Sequence, residues 1–566
     1  MNDDQVELRW PGKYGPDGTR AALPNTGVGL RERERFGDPP TDEPGQPGPS
    51  VVLGDNLLVL EALVRAHPGS ADLVYIDPPF ATGNAFALAR KLPDATELRL
   101  PAFDDAWTDG VAGFLRMLDP RLRLIHQLLG PRGSLYVHVD PTVGHAVKLL
   151  LDEIFGRASF QREIVWRIGW VSGFKTRAKN WIRNHDLIFF YTKHPSEFTF
   201  NKSWVPHPAG YQRREGAPAK SPGIAIDDVW NAGSAELELT GRESLDSIQI
   251  KSFSREKTGW ATQKNESLLR RILAASSNPG DLVVDVFAGS GTTGVVAHEL
   301  GRRFVIADHS ESAVQIARDR LLEAGVEQLR VLELDGLERS RAVAQAGANL
   351  VEWMLAQLEA EPWAGPAGIV ARRGEVGVAL GLPGEILDAA RLASLRASGL
   401  ASVEVLGFDW ADELDQAELG ELGEGEGSEL VRLQVGRGIW QASVRATPWT
   451  RGGVGVWERP RVRVALEAGR VQLRALSLRR PECLPEPLRG HEGFATLLGW
   501  SLVEREGQVR FATRRRRREG LVLESAALPE GSLAQLRLVL DDVRGHRCVL
   551  GLARATNSRV ALTSPP

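Results

Sequence analysis

The chain has 566 residues, a formal net charge of −4 and two cysteines, Cys483 and Cys548. That length leaves room for several average domains, or for one large α/β core with appendages. Two distant cysteines make neither a disulfide framework nor a metal cluster, and no apolar run approaches the roughly 20 residues of a membrane span. The expectation is a cytoplasmic protein with no metal and no membrane anchor.

Residues 1–50 are rich in Pro and Gly, with Trp10-Pro11-Gly12-Lys13-Tyr14 as the only apolar anchor, and read as an arm or linker. From Val51 onward strand and helix patterns alternate: a strand over 73–76, a helix near 111–129, a strand over 134–139 and a helix near 143–155. This alternation predicts a mostly parallel sheet covered by helices, an α/β domain spanning 51–330. Prolines and glycines break the pattern over 196–258. A helical face formed by Leu268, Leu269, Ile272 and Leu273 precedes two further strands, over 282–284 and 304–307. Residues 331–405 read as a helix-rich bridge. An acidic run from Asp409 to Glu429 follows, and short alternating segments such as Val462 to Leu466 and Val471 to Arg474 make 406–566 an α+β or β-rich accessory domain.

Two loops carry the chemistry. The strand ending at Ile76 runs into Asp77-Pro78-Pro79-Phe80. Each proline removes a ladder donor and fixes φ, so the tetrapeptide is a stiff loop at a strand's carboxyl end, the edge where open α/β sheets bind ligands. Taken alone, Asp-Pro-Pro reads as an ordinary turn. The second loop, Asp285-Val286-Phe287-Ala288-Gly289-Ser290-Gly291-Thr292-Thr293, stands between a strand and a helix. Its glycines allow close backbone approach to a ligand, and the helix start offers free N–H groups. The spacing is not the dinucleotide pattern Gly-x-Gly-x-x-Gly. The next strand ends in Asp308, at a distance suited to gripping two ribose hydroxyls. Together these residues are a nucleoside-cofactor signature.

Charge is unevenly spread. Between Arg157 and Lys220 twelve Lys or Arg face four acids, a surplus of eight, interleaved with Trp166, Trp170, Phe174, Trp181, Trp204 and Tyr211. That mixture suits neutralised phosphates and stacked bases. The candidate DNA-contacting cations are Lys175, Arg177, Lys179, Arg183, Arg213 and Arg214.

The two loops, in this order, resemble the catalytic and cofactor motifs of amino-group DNA methyltransferases of the β class, which use S-adenosylmethionine. The resemblance covers about residues 51–325. It extends to Gly54-Asp55-Asn56-Leu57, and to Thr258-Gly259-Trp260-Ala261-Thr262-Gln263-Lys264-Asn265. It departs from the family at Val286 and Asn265, where the family usually has Pro. It implies a Rossmann-like, circularly permuted methyltransferase fold with an inserted target-recognition segment over 196–258. Asp77, Pro78, Pro79 and Phe80 are then catalytic: Asp77 and the Pro78 carbonyl accept from an exocyclic amine, and Phe80 stacks on the flipped base. The cofactor falls to Asp55, Asn56, Lys264, Asp285, Phe287, Ala288, Gly289, Ser290, Gly291, Thr292, Thr293 and Asp308, with Asp55 near the adenine and Lys264 near the methionine carboxylate. The Asp-first loop points to adenine N6 in duplex DNA. Cytosine N4 is the alternative, and a DNA-binding subunit that keeps the fold without catalysis is the rival of another class. Similarity to type III modification subunits brings in restriction-modification or phage defence, with a partner subunit and a homodimer as further expectations.

Overall fold

The apolar runs at 73–76 and 282–284 become neighbouring parallel strands, and that adjacency brings the two chemical loops together. The computed structural model describes residues 6–37, 47–80, 85–91, 97–105, 107, 109–167, 179–207, 210, 221–230 and 256–335, then 351, 355, 360–381, 386–387, 389–407, 409–410, 429–435, 456–458, 461–467, 470–477, 497–504, 508–514, 525, 536–542, 547–554 and 560–563. Contacts divide the chain into two units: Met1–Arg31, Asp38–Leu88 and Ala102–Leu334 form the first, and Glu32–Gly37, Ala89–Pro101 and Asp335–Pro566 the second.

The first unit is built on β1 (Ser50–Leu53), β2 (Ala71–Ile76), β3 (Leu129–Val139), β4 (Phe160–Arg167), β5 (His185–Thr192), β6 (Val229–Trp230), β7 (Leu282–Asp285), β8 (Arg303–Asp308) and β9 (Leu329–Leu334). Their order in the sheet is β9-β1-β8-β7-β2-β3-β5-β4-β6. From β9 to β3 all pairings are parallel, and β5 then runs antiparallel between β3 and β4. Strands covered on both faces need continuous apolar runs, and β1 and β7 are buried at every position. The helices are α1 (Asn56–Ala66), α2 (Gly110–Leu128), α3 (Pro141–Phe155), α4 (Glu266–Ser276), α5 (Thr292–Glu299) and α6 (Glu311–Glu323). Caps follow the sequence: Asp55, Asp140 and Ser310 each accept a first-turn N–H, and Pro141 opens α3.

Residues expected as an arm or linker are instead docked on this unit. Trp10 and Val28 join the hydrophobic core. The fully buried Lys13 ammonium lies 2.5 Å from Glu153 Oε2 on α3 and 4.7 Å from the centre of the Trp10 ring. The Leu8 N–H donates to the same carboxylate at 2.7 Å. A Pro/Gly-rich segment folds here because one buried ion pair and one indole hold it, two features a compositional reading discounts.

In the second unit the expected helical bridge is corrected. Strands Ala371–Arg373, Val376–Leu380 and Ser402–Gly407 lie in a sheet that continues into Glu429–Val435, with helix Ala389–Arg396 beside them. The Val376–Leu380, Ser402–Gly407 and Glu429–Val435 strands pair in parallel, so the sheet runs straight across the expected boundary at 405. Val403 and Val405 alternate with polar residues and are fully buried, a period of two that β-branched side chains favour. Further on, Arg461–Glu467 and Arg470–Ser477 form an antiparallel hairpin. Five antiparallel strands between Leu497 and Thr563 form another sheet.

Candidate active site

Three adjacent parallel strands, β8, β7 and β2, deliver their carboxyl ends to one edge. Asp308 closes β8, Asp285 closes β7, and Asp77 follows β2. They line a cleft of about 900 Å³, counting the part open to solvent. Asn56, Asp77, Pro78, Pro79, Phe80, Lys264, Asp285, Phe287, Ala288, Gly289, Ser290, Thr292, Thr293 and Asp308 all border it, so fourteen residues picked from sequence share one wall.

Within the first loop, Lys264 Nζ sits 2.5 Å from Asp77 Oδ2 and 5.2 Å from the centre of the Phe80 ring. Asp77 Oδ1 is buried and has no hydrogen-bond partner among the described residues. A buried acceptor without a donor costs free energy, so this oxygen is set aside for something that the cleft receives. Behind the loop, the Tyr75 hydroxyl is 3.0 Å from His138 Nδ1, whose Nε2 is 3.2 Å from Asp186 Oδ2, and the His138 and Phe80 rings lie 5.8 Å apart. Burial works against the Asp186 charge, yet the hydrogen bond from His138 and the charges of Lys264 and Arg183 hold its carboxyl below the ordinary range. The imidazole therefore donates from Nε2 and accepts the Tyr75 hydroxyl at Nδ1. Burial also drives the Tyr75 phenol well above its ordinary value, which keeps it a donor.

In the second loop the backbone bends around the cleft. Gly289 has φ of 48°, and a Cβ there would stand 2.7 Å from Trp260 Nε1. Its N–H donates to Asp308 Oδ2 at 2.9 Å, while Asp308 Oδ1 accepts from Ser310 N at 2.8 Å, so each oxygen has capacity for a second donor. Asp285 accepts from Phe287 N at 2.9 Å and from Thr293 Oγ1 at 2.5 Å. Complete burial pushes its carboxyl up to about 7 against those two bonds, with Asp77 and Asp308 adding to the rise.

Three residues stand elsewhere than expected. Asp55 is not on the cleft wall; its carboxylate caps α1 and pairs with Arg121 at 3.0 Å. Its neighbour Asn56 does reach the wall and donates to the Val286 carbonyl at 3.1 Å. Gly291 starts α5 with φ of 78°, and a Cβ there would lie 2.6 Å from that of Ala317 on α6, so its role is helix packing. Arg183 is committed to Asp140 Oδ2, at 2.7 Å, and to Asp186, although its side chain stays 39% exposed. Lys179 is exposed. Lys175, Arg177, Arg213 and Arg214 lie outside the described residues, as does much of 196–258.

Sequence reasoning missed Tyr75, Phe86, Asp105, Trp260, Thr262, Gln263 and His309 on the wall. Thr262 has φ of 60°, a conformation costly for a β-branched residue and concentrated at functional sites. Gln263 holds that turn by accepting from Thr258 N and Oγ1 at 3.0 and 2.8 Å. Among the described residues no cluster of His, Cys, Asp and Glu fits a metal, and no helix is long and apolar enough to cross a membrane.

Comparison with known proteins places residues 71–319 on a family model described as DNA methylase. The chain is 28% identical over 329 residues to the type II methyltransferase M.EcaI of Enterobacter cloacae, covering 48% of this chain and 69% of that protein. It is 28% identical over 279 residues to the DNA adenine methyltransferase YhdJ of Escherichia coli K12, covering 49% and 84%. The solved PvuII DNA methyltransferase, described as cytosine-N4-specific, aligns at 18% identity with a TM-score of 0.31, covering 50% of this chain and 89% of that one.

Proposed function

We propose that the protein, whose residues 71–319 match a family model described as DNA methylase, transfers a methyl group from S-adenosylmethionine to the exocyclic N6 of an adenine flipped out of duplex DNA. The observation that carries the reading is the buried, unpartnered Asp77 Oδ1 in the cleft that the glycine loop borders.

The cleft suits this cofactor on its own terms. Its wall carries Asp77, Asp105 and Asp308 against one lysine, an acidic surface for a sulfonium cation, and Asp285 adds to it as it ionises near pH 7. Only a glycine fits at 289, which keeps the backbone free for close approach, and Asp308 has lone pairs to spare for ribose hydroxyls. Asn56, Phe287 and Ser290 are further residues that would hold it. When bound, S-adenosylmethionine supplies the electrophilic methyl group and leaves as a neutral thioether.

The chain's own part is to make an aromatic amine nucleophilic. Lys264 fixes Asp77 Oδ2 and so leaves Oδ1 as the acceptor for one amine hydrogen. The Pro78 carbonyl accepts the other, and the nitrogen lone pair turns out of the ring plane toward the methyl carbon. As the new C–N bond forms, the nitrogen becomes cationic and sheds one proton toward the Asp77 carboxylate. Phe80 stacks on the base, with Lys264 on its ring and His138 behind it. Exposed Lys179 and Arg167 are the described cations of the basic stretch that would meet the phosphates.

Adenine is preferred because the loop begins with Asp, and a similar protein is named an adenine methyltransferase. The test is to incubate the protein with labelled cofactor and unmethylated DNA, digest, and identify the nucleoside. N6-methyladenine is the expected product. Label in N4-methylcytosine would keep the site and reverse the choice of base, and unlabelled DNA would favour the non-catalytic subunit.

A further inference from the structure

Trp181 is 98% exposed, and its neighbour Ile182 is 39% exposed. A large aromatic fully in water is the observation that needs a reason, because tryptophan is highly buried on average. Its position in the fold supplies one. Residues 179–184 lead into β5, whose Leu187 pairs with Val139 at the end of β3, and β3 in turn pairs Val137 with Ile76 of β2. Trp181 therefore leaves the sheet at the edge that carries Asp77 to Phe80.

The backbone beside the indole is clamped while the indole is not. Arg183, two residues on, is paired with Asp140 and Asp186. Asp186 holds His138, and His138 touches the Tyr75 hydroxyl and lies against the Phe80 ring. One chain of charged and hydrogen-bonded groups thus links the wall behind Phe80 to the base of an exposed indole. Positive charge flanks it: Lys179 is exposed, and so is Arg167, which pairs with His185 at the same edge. An exposed aromatic face on a segment with Lys179, at the sheet edge that carries the cleft and Arg167, has the chemistry that recognises a nucleobase attached to phosphates.

We infer that Trp181 is a second stacking platform for a nucleobase, additional to Phe80 and resting on the proposed reading of the cleft as a DNA methyltransferase site. The base comes from one of two sources: the extruded base itself, or the bases left behind in the duplex, whose vacated space an inserted apolar side chain fills.

The test uses the full chain, with Trp181→Ala and Trp181→Phe compared with wild type on duplexes carrying the site found in wild-type methylation products. Cofactor binding, followed by calorimetry, reports on folding. Trp181→Ala is expected to lose roughly tenfold to a hundredfold in kcat/KM, the size of one base stacked on an aromatic face, with cofactor affinity unchanged and Trp181→Phe largely restored. A duplex with an abasic position opposite the methylated base separates the sources. Recovery of Trp181→Ala on it assigns the bases left behind, and a persistent loss assigns the extruded base. Wild-type rates for Trp181→Ala on the intact duplex overturn the inference alone, as does a Phe variant no better than Ala. A wild-type protein that methylates no DNA overturns the reading beneath it as well.

Discussion

Lys264 Nζ lies 2.5 Å from Asp77 Oδ2, joining the segment ahead of α4 to the loop after β2 across 187 residues of sequence. The pair is largely buried, with side-chain exposures of 6% and 16%. Sequence resemblance assigns this lysine to the cofactor carboxylate, whereas the geometry gives it Asp77 as partner. It thereby leaves the other Asp77 oxygen as the acceptor in the cleft.

Removing one partner of a buried pair strands the other charge. Lys264→Gln is therefore expected to cost about 3 to 5 kcal/mol of stability. The Asp77→Asn/Lys264→Gln double variant should cost less than the two single losses added together, because no bare charge remains. Urea unfolding of the four proteins measures this, and strictly additive losses would contradict the pairing.

Asp285 sets a pH dependence. Its carboxyl is pushed up to about 7 in the folded protein, chiefly by burial, against an ordinary value of about 3.9 in an unfolded chain. Below about pH 4 both states hold the proton. Between about 4 and 7 the unfolded chain has lost it and the folded protein keeps it, so stability falls as pH rises, by up to about 1.4 kcal/mol per unit. Above 7 both are ionised and the slope ends. The wild type should thus lose stability relative to Asp285→Asn between pH 5 and pH 7, as read from denaturant midpoints; parallel profiles would show that the proton is not held there.

The two glycines of the cofactor loop should fail differently. A Cβ at 291 meets the backbone and Cβ of Ala317 at 2.9 and 2.6 Å. Gly291→Ala is therefore expected to destabilise the fold by about 1 to 3 kcal/mol. At 289 the added atom meets the Trp260 indole on the cleft wall, so Gly289→Val should abolish cofactor binding while the protein remains folded. Calorimetry beside thermal unfolding separates the two outcomes, and the same defect in both variants would sink the distinction.

Much of the site is legible in the chain because its parts are short and local. Asp77 to Phe80 and Asp285 to Thr293 each follow a β-branched or apolar run, and strand ends in parallel sheets converge on one edge. The wall residue Phe86 carries no such mark, and Trp260 and Thr262 stand in the resembling stretch 258–265 without a sign that they line the cleft, since their place depends on how distant segments fold over the edge. Asp55, read from sequence as a cofactor residue, is placed in the structure as the cap of α1 and the partner of Arg121, a role that an acid ahead of a helix commonly takes. The helical reading of 331–405 fails at Val403 and Val405, where alternation over five residues is too short to distinguish from a helix face until the pairing is known. The docked arm escapes for a related reason, as the partner of Lys13 is 140 residues away.

That arm gives a further expectation. Glu153→Gln leaves the Lys13 ammonium, whose side chain is fully buried, without its carboxylate, and about 3 to 5 kcal/mol of stability should be lost. The Lys13→Met/Glu153→Gln double variant should cost less than the two single losses added together, since neither partner is then left as a bare buried charge. Equal stability of Glu153→Gln and wild type would mean that the arm does not hold to α3 in solution.

The central claim is that Asp77 supplies the acceptor that makes a DNA base amine nucleophilic. Its most direct measurement is transfer of labelled methyl groups to unmethylated DNA by wild type and Asp77→Asn, with cofactor binding followed by calorimetry on both. Asn keeps a hydrogen bond for Lys264 but not the carboxylate. The account predicts labelled N6-methyladenine with the wild type, a loss on the order of a hundred- to a thousandfold with Asp77→Asn, and cofactor binding in both. Equal rates for the two proteins, or a wild type that binds cofactor and leaves DNA unlabelled, would contradict it.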